Sequence, residues 1–425
     1  MTDTVESTPS PMPSPPKRPP SSRMGAVVWM RHHLFRSPAD AVLTIVFGAI
    51  SVWLLYKTLS FVFITGRWDI IRVNLRLLMI GRFPESHELR LVVTAIALSG
   101  WAGLLGGFVR GRQIRSGRVS DDRFSTSRAL DIVTRLWIPG LLVLLLLLLA
   151  GTSGPWIMVG AAIVAAVVGR VIGPYLGRRT FGPGGSAVLF VAFGAVPAGL
   201  YFYVVTAVGF DDWGGFMLNL FLAVCSIVLC YPLGILLALG RRSTLPLVRL
   251  VSTAYIELVR GAPLFVLLLL ANVALGFFVP DTLTPSTSTR AIVVFTLFTA
   301  AYMAEIIRGG LQSVPRGQVE AAKAVGLSPV RQTGYIVLPQ ALRNVIPAQI
   351  GQLISLFKDT TLAGIAMGLF ELLNVASAIP AQEQFRGQGL IGETITFAAL
   401  MFWVVAYTMS RESQRLEKRL GVGDR

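Results

Sequence analysis

The sequence predicts an all-α integral membrane protein with about ten transmembrane helices. Of its 425 residues, 53% are hydrophobic and only 14% are charged, whereas an ordinary soluble domain carries about 25% charged residues. A helix needs roughly 20 apolar residues to cross a bilayer, and backbone groups inside lipid must bond one another, which favours helices. The ten apolar segments are residues 41–63, 91–109, 136–152, 156–173, 187–209, 216–240, 261–280, 291–307, 344–370 and 393–410.

The chain divides by composition into four parts. Residues 1–40 begin with a Pro- and Ser-rich stretch and are expected to be a disordered cytoplasmic N-terminus. The first long apolar run starts near Ala41, too late and too long for a cleaved signal peptide. We expect additional transmembrane helices and loops over 41–210, a functional transmembrane core over 211–412 and a cytoplasmic tail over 413–425.

The distribution of basic residues predicts that both termini are cytoplasmic. With the N-terminus inside, the inner segments hold 29 of the 38 Lys and Arg residues and the outer segments hold seven, as the positive-inside rule requires. Residues 64–90 are the exception, because they place five arginines on the outer side. Either the amphipathic stretch 68–80 is an interfacial helix on the outer face, or the first crossing is misplaced.

Polar side chains enter the apolar segments mainly after residue 216, so function is expected there. Two pairs with a spacing of three, Glu257 with Arg260 and Glu305 with Arg308, share a helix face. Each pair is interpreted as a structural ion pair, with gating of a pathway as the alternative. The candidate pathway or gating residues are Glu257, Arg260, Glu305, Lys358, Asp359, Thr360 and Thr361. Lys358 and Asp359 are interpreted first as structural partners of groups on other helices, with contact to the pathway as the alternative. Asn219 and Asn272 are expected to form hydrogen bonds between helices.

Several chemistries lack the residues that they need. The three histidines lie outside the apolar runs, and the two cysteines, Cys225 and Cys230, have no histidine nearby, so we expect neither a metal site nor a cofactor. No G-x-x-x-x-G-K-[ST] loop occurs, which predicts that any ATP hydrolysis belongs to a partner subunit. The net charge of +16 is attributed to membrane topology rather than to nucleic-acid binding.

The polar segment between two late apolar runs has the pattern of a helix, a sharp turn and a second helix. Residues 318–325 favour a helix, and Gly326 can end it with a positive φ. Ser328 and Pro329 suit the N-cap and first position of a second helix, which is predicted to break at Pro339. Such an elbow on the cytoplasmic side suits docking into another protein, and resting on lipid headgroups is the alternative.

This segment resembles the EAA loop of bacterial ABC-importer permeases. Glu320-Ala321-Ala322 is followed after three residues by Gly326 and after nine more by Ile336-Val337-Leu338-Pro339. The resemblance places the EAA loop at 305–343 and implies a coupling helix that docks on a cytoplasmic ABC ATPase. The implied docking residues are Glu320, Ala321, Ala322, Gly326, Ile336, Leu338 and Pro339.

Three further motifs resemble the polar amino-acid permeases, which import His, Glu, Gln, Arg and opines. They lie at 255–264, 304–310 and 358–362. The resemblance implies a C-terminal five-helix type I permease core, and the N-terminal spans are similar to those of the larger permease of general L-amino-acid transporters. The implied partners are an ATPase dimer, a second related permease subunit, a periplasmic amino-acid-binding protein and membrane lipid, and the implied location is the bacterial inner membrane.

Two other kinds of membrane protein fit the sequence less well. An ion-gradient-driven secondary amino-acid transporter or channel needs intramembrane carboxylates, and Asp359 is the one acidic residue deep in an apolar segment. That alternative also leaves the elbow unexplained. A membrane-embedded enzyme needs a His, Cys or paired-carboxylate site, and the sequence offers none. The sequence therefore predicts a permease subunit that is not itself an enzyme.

Overall fold

The computed structural model describes residue 30 and residues 34–117, 126–179, 183–280 and 283–421, and it divides the chain into units 1–66 and 67–425. In the first unit, helix α1 (Pro38–Ser60) continues through a π-helical turn at Phe61–Thr65. The Ser37 hydroxyl caps α1 by accepting a hydrogen bond from the amide of Asp40 at 3.1 Å. The predicted N-terminal segment is described only from this helix and the few residues before it.

The second unit is also helical throughout its described residues, apart from connections and an isolated bridge between Gly215 and Glu371. Its N-terminal helices are α2 (Asp69–Ile80), α3 (Glu88–Arg115), α4 (Thr126–Ala150), α5 (Ser153–Arg178) and α6 (Pro183–Val205). Its C-terminal helices are α7 (Gly215–Arg241), α8 (Pro246–Gly261), α9 (Leu264–Leu269), α10 (Leu275–Phe278), α11 (Thr287–Ser313), α12 (Arg316–Ala324), α13 (Pro329–Gln332), α14 (Leu338–Asn344), α15 (Ile346–Asp359), α16 (Leu362–Met367), α17 (Leu372–Ala378) and α18 (Ile391–Leu420).

Six helical stretches of the described residues are long and apolar enough to cross a membrane. They are Pro38–Thr65, Glu85–Arg115, Ser153–Arg178, Gly215–Arg241, Thr287–Ser313 and Ile391–Lys418. A seventh candidate is the pair Pro246–Gly261 and Leu264–Ala274, which is bent by 101° and contains most of the predicted segment 261–280. The predicted segments 136–152 and 187–209 fall on α4 and α6. The all-helical membrane class is confirmed, and ten crossings remain a prediction.

The predicted span 344–370 is not one helix. It is divided into α14, α15 and α16, and α15 ends at Asp359. There the hydroxyl groups of Thr360 and Thr361 donate to the carbonyl oxygens of Phe357 and Lys358 at 2.7 and 2.9 Å. Threonine side chains that bond to nearby carbonyl groups in this way commonly bend or interrupt helices. The interruption brings polar groups into the middle of an otherwise apolar segment.

Glycines allow α3 and α5 to approach until their backbones touch. A Cβ atom added to Gly173 of α5 would lie 2.4 Å from the Leu104 oxygen and 2.7 Å from the Gly107 Cα atom. Gly169 and Gly177 of α5 meet α3 equally closely. Small residues spaced four apart are a common means of helix association in membranes. The glycine spacing is present in the sequence, whereas the pairing of these two helices becomes apparent only in the tertiary structure.

The centre of the second unit is built on the contact between α7 and α11. Leu218 and Leu222 of α7 and Phe295 of α11 are fully buried there. A separate apolar cluster joins the later parts of the same two helices to α8 and α14. Met303 and Ile307 of α11 are fully buried in it, together with Ala341 of α14. This second cluster attaches the predicted docking elbow to the helix that precedes it.

Candidate functional site: the coupling elbow and its charged neighbours

The first arm of the elbow is helix α12, which is separated from the end of α11 by two residues. Gly326 follows it with a φ of +78°, as predicted from its type. The amide of Gly326 donates to the Lys323 carbonyl at 2.9 Å, and the amide of Leu327 donates to the Ala322 carbonyl at 3.1 Å. These two bonds form a Schellman motif, which satisfies the last carbonyl groups of the helix and reverses the chain direction.

The second arm differs from the prediction in two details. Ser328 and Pro329 take the N-cap and first position of α13 as expected, but the Ser328 side chain forms no capping hydrogen bond. Pro339 does not break the helix, because a π-helical turn at Thr333–Val337 precedes it and places it in the first turn of α14. A proline in a first turn is tolerated, since its missing N–H would have no intrahelical partner.

The two arms are held together from within. The side-chain amide of Gln332 is buried and donates to the Val319 carbonyl at 2.7 Å. Ala322 is only 6% exposed, so it supports the elbow from inside. Val337 is buried in the cluster that joins α11 and α14, and Leu338 packs against that cluster. The elbow is therefore one packed unit anchored to the end of α11.

The outer surface of the elbow combines one carboxylate with large apolar side chains. Glu320 and Ala321 are exposed, as are Gly326 and Pro339, while Ile336 is half-buried. The exposed apolar side chains are Val325, Val330 and Tyr335, with exposures of 80%, 83% and 73%. Exposed apolar patches next to polar residues are typical of interaction sites. The predicted docking residues thus separate into an exposed group and a supporting group that includes Ala322 and Leu338.

A cluster of charged residues surrounds Glu305 on α11. The Glu305 carboxylate lies 3.0 Å from Arg241 at the end of α7 and 3.9 Å from Arg260 of α8. It also bonds to Arg308 one turn further along α11, as predicted. The predicted pair between Glu257 and Arg260 is wrong. Glu257 bonds to Arg241 at 2.8 Å, because the end of α7 lies beside α8 and supplies a nearer cation.

The charged cluster connects three helices close to the elbow. Arg260 stacks its guanidinium group 5.4 Å from the Tyr302 ring centroid, and the Tyr302 hydroxyl donates to the Arg260 carbonyl at 3.4 Å. Glu305 stands eight residues before the end of α11, which corresponds to about 12 Å of helix. The helix that leads into the elbow is therefore joined to α7 and α8 by this cluster as well as by the apolar contacts.

The four polar residues at 358–361 are not equivalent. Lys358 is exposed, Asp359 and Thr361 are half-buried, and Thr360 is fully buried. Thr360 accepts a hydrogen bond from the Asn219 side-chain amide of α7 at 3.0 Å. Asn272 likewise donates to the Ala366 carbonyl of α16 at 3.3 Å. Both asparagines form the predicted hydrogen bonds between helices.

Glu371 is a buried functional-site candidate that the sequence reasoning missed. It is 0% exposed, it accepts from Asn219 at 3.1 Å, and it caps α17 by accepting from the amides of Leu373 and Asn374 at 2.9 and 2.8 Å. It lies in the connection between α16 and α17, where burial raises its pKa although the N–H donors favour the carboxylate. The sequence signal that could have identified it is its position directly before the mainly apolar stretch 372–376, where a carboxylate can act as the N-cap of a helix.

Comparison with known proteins identifies the class to which the chain belongs. The family described as "Binding-protein-dependent transport system inner membrane component" matches residues 230–422, which include the elbow and most of the charged cluster's helices. The glutamate/glutamine/aspartate/asparagine transport system permease protein BztC of Rhodobacter capsulatus is 34% identical over 95% of this chain and 96% of its own length. The inner membrane amino-acid ABC transporter permease protein YhdY of Escherichia coli is 42% identical over 52% of this chain and 60% of its own length.

A solved crystal structure of an amino acid ABC transporter with histidines aligns with 48% of this chain and 92% of its own chain, at 29% identity and a TM-score of 0.43. The apolar helices, the polar elbow after α11 and the near full-length similarity define a multi-pass permease of the inner membrane. The chain belongs to the family of binding-protein-dependent transport system inner membrane components, the permease subunits of ABC importers. This confirms the family resemblance and favours it over a secondary transporter.

Proposed function

We propose that this permease imports polar L-amino acids and couples their passage to a partner ATPase through the elbow, residues 316–344. The observation that carries the proposal is the elbow itself, a packed unit with exposed Val325, Val330 and Tyr335 that is anchored to α11 by buried contacts. The substrate class is supported by relatives named as glutamate, glutamine and aspartate permeases. It is also supported by the three motifs at 255–264, 304–310 and 358–362.

The coupling step uses the exposed face of the elbow. Glu320, Ala321, Gly326 and Pro339 contact a cleft of the cytoplasmic ATPase, while Ala322, Ile336 and Leu338 hold the elbow in shape. Closure of two ATPase subunits on ATP draws the elbows of two permease subunits together and shifts the population from one access state to the other. ATP is hydrolysed by the partner, and this chain supplies the transmitted movement.

The polar residues of the core take part in the response. Glu257 is linked to Glu305 through Arg241, and Arg260 faces Glu305 directly, so these residues form a gate between α8 and α11 that follows the elbow. Lys358, Asp359, Thr360 and Thr361 lie where the helix is interrupted, and polar groups at helix breaks are typical of transport pathways. Asp359 and the half-buried Thr361 hydroxyl suit the ammonium group of an amino acid, and Lys358 suits its carboxylate, whereas the buried Thr360 holds the helix break against Asn219.

The assembly and the topology follow the same proposal. The chain pairs with a second, related permease subunit, binds two ATPase subunits on the cytoplasmic side and receives substrate from a periplasmic binding protein, within membrane lipid. Both termini are cytoplasmic, which agrees with 29 of 38 basic residues on the inner side. Residues 41–210 provide additional spans, 211–412 form the permease core, and 1–40 and 413–425 are cytoplasmic ends.

The test is uptake of radiolabelled glutamate and glutamine by proteoliposomes that contain the intact complex. We expect uptake to require ATP on the side of the membrane that carries the ATPase subunits. In Glu320→Ala, uptake should fall at least tenfold while the complex still assembles in the membrane. Ser328→Ala is the matched control, because its hydroxyl forms no capping bond in the same exposed elbow. Uptake driven by an ion gradient without ATP would contradict the proposal and favour the secondary-transporter alternative.

A further inference from the structure

Helix α2 is an integral part of the permease body, although it carries Arg72 and Arg76, two of the five arginines in residues 64–90 that depart from the basic-residue pattern. Ile71 and Leu78 are fully buried and Ile70 is 1% exposed. These side chains pack in one cluster with residues of α4, α7, α17 and α18. The apolar face of α2 is therefore occupied by protein, whereas an interfacial helix would place that face in lipid.

The end of α2 packs against the start of α7 and the connection that precedes α17. A Cβ atom added to Gly81 would lie 2.3 Å from the Gly214 Cα atom, so the two backbones touch. The amide of Gly215 donates to the Phe370 carbonyl at 2.7 Å, and the Arg82 guanidinium lies 3.7 Å from the Phe370 ring centroid. The surface of α2 is thus continuous with the connection between α16 and α17, which is predicted to face outwards.

The remaining face of α2 and its flanking residues is exposed and mainly basic. Arg67, Arg72, Arg76 and Arg82 are exposed, compared with two exposed carboxylates in residues 67–90, Asp69 and Glu85. Arg76 is paired with Glu88 at 2.6 Å, whereas the Arg72 guanidinium lies near Gly151. Five of the seven basic residues on the predicted outer side fall within residues 67–90, although basic residues usually concentrate on the cytoplasmic side.

We propose that α2 and the turn after it, residues 67–82, form a docking surface for an acidic face of the extracytoplasmic solute-binding protein. This inference rests on the proposed function, which supplies such a partner and the outward orientation. A partner held near α2 sits directly beside the Phe370 connection and the first residues of α7. Charged side chains at the edge of an interface raise the association rate and make it sensitive to salt.

A protein partner fits this surface better than lipid headgroups. Only one large apolar side chain of α2, Val73, is exposed, at 63%, so the free face offers little to the acyl region of a bilayer. The buried face already anchors the helix, and Gln382 of the outward loop donates to Asn74 of α2 at 3.0 Å. The basic face is therefore held in place as part of a surface that includes this loop.

The decisive experiment places a photo-crosslinking phenylalanine derivative at Val73 in the full complex in native membranes. The arginines stay in place in this variant. We expect a covalent adduct with a soluble solute-binding protein, with a yield that falls at least fivefold in 0.5 M NaCl. The yield should fall similarly in Arg67→Glu combined with Arg72→Glu. Adducts with lipid only, or a protein adduct indifferent to both salt and charge reversal, would overturn the docking surface.

The same derivative at Val325, on the exposed face of the elbow, separates this inference from the proposed function. An ATPase adduct at Val325 without a binding-protein adduct at Val73 rejects the docking surface and leaves the coupling proposal standing. Loss of both adducts rejects the coupling proposal and the docking surface together. As a matched charge control, Arg242→Glu on the predicted inner side should leave the yield at Val73 unchanged.

Discussion

The Glu305 carboxylate of α11 lies 3.0 Å from the Arg241 guanidinium at the end of α7. Arg241 also bonds to Glu257 of α8 at 2.8 Å, so one arginine connects three helices. The Glu305 and Arg241 side chains are 24% and 23% exposed, so water screens their electrostatic attraction only partly. This junction lies on the helix that leads directly into the elbow.

Replacing Glu305 with Gln should destabilise this junction, because it leaves Arg241, Arg260 and Arg308 together without their shared anion. We expect a loss of roughly 1–2 kcal/mol, between the values for exposed and buried ion pairs. The measurement is thermal unfolding of the detergent-solubilised complex together with uptake. Glu88→Gln removes a more exposed pair with Arg76, in which both side chains are 41% exposed, and should change stability by less than about 0.5 kcal/mol. Equal effects in the two variants would contradict the role of the junction.

Replacing Gly326 with Val should uncouple transport, because a β-branched residue strongly disfavours a φ of +78°. We expect uptake to fall at least tenfold while the complex still assembles, since no neighbouring atom lies within 4 Å of an added Cβ. The measurement is uptake per ATP hydrolysed. Gly317→Ala, in helix α12 of the same elbow and equally free of neighbours, should be neutral. Normal coupling in Gly326→Val would show that the turn geometry is dispensable.

Replacing Gly173 with Ala should weaken the contact between α3 and α5, because the added methyl group would lie 2.4 Å from the Leu104 backbone oxygen. Backbone atoms cannot rotate away, so the helices must separate at a cost of about 1–3 kcal/mol. The measurement is the unfolding temperature in detergent. Gly160→Ala in the same helix meets no atom within 4 Å and should be neutral or slightly stabilising. A similar result for both variants would indicate a looser helix pair.

Replacing Asn219 with Leu should be costly, because Asn219 bonds to Thr360, to Glu371 and to the amide of Leu372. Removing it leaves buried polar groups with fewer hydrogen-bond partners, which should lower the stability of the complex by roughly 2–4 kcal/mol. The measurement is again thermal unfolding of the complex. Asn272→Leu, which removes a single bond to Ala366, should cost about half as much or less. An equal loss in the two variants would argue against the buried network.

The elbow shows how far local sequence patterns reach. Gly326 was predicted at the end of a helix, and it has the positive φ that this position requires, because turn geometry depends on a few adjacent residues. The break predicted at Pro339 was wrong, because a π-helical turn shifted the helix start to just before that residue. Local signals thus located the elbow, while the register of its second arm depended on packing against α11.

The sequence by itself determined the helical membrane class, the approximate positions of the apolar segments and the elbow. Hydrophobic length and turn preferences are properties of neighbouring residues, so they can be recognised without tertiary information. Only the tertiary structure paired Glu257 with Arg241, buried Glu371 against Asn219 and covered the apolar face of α2. These relationships join residues 16 to 152 positions apart or separate helices, and their energies depend on which surfaces the folded chain brings together.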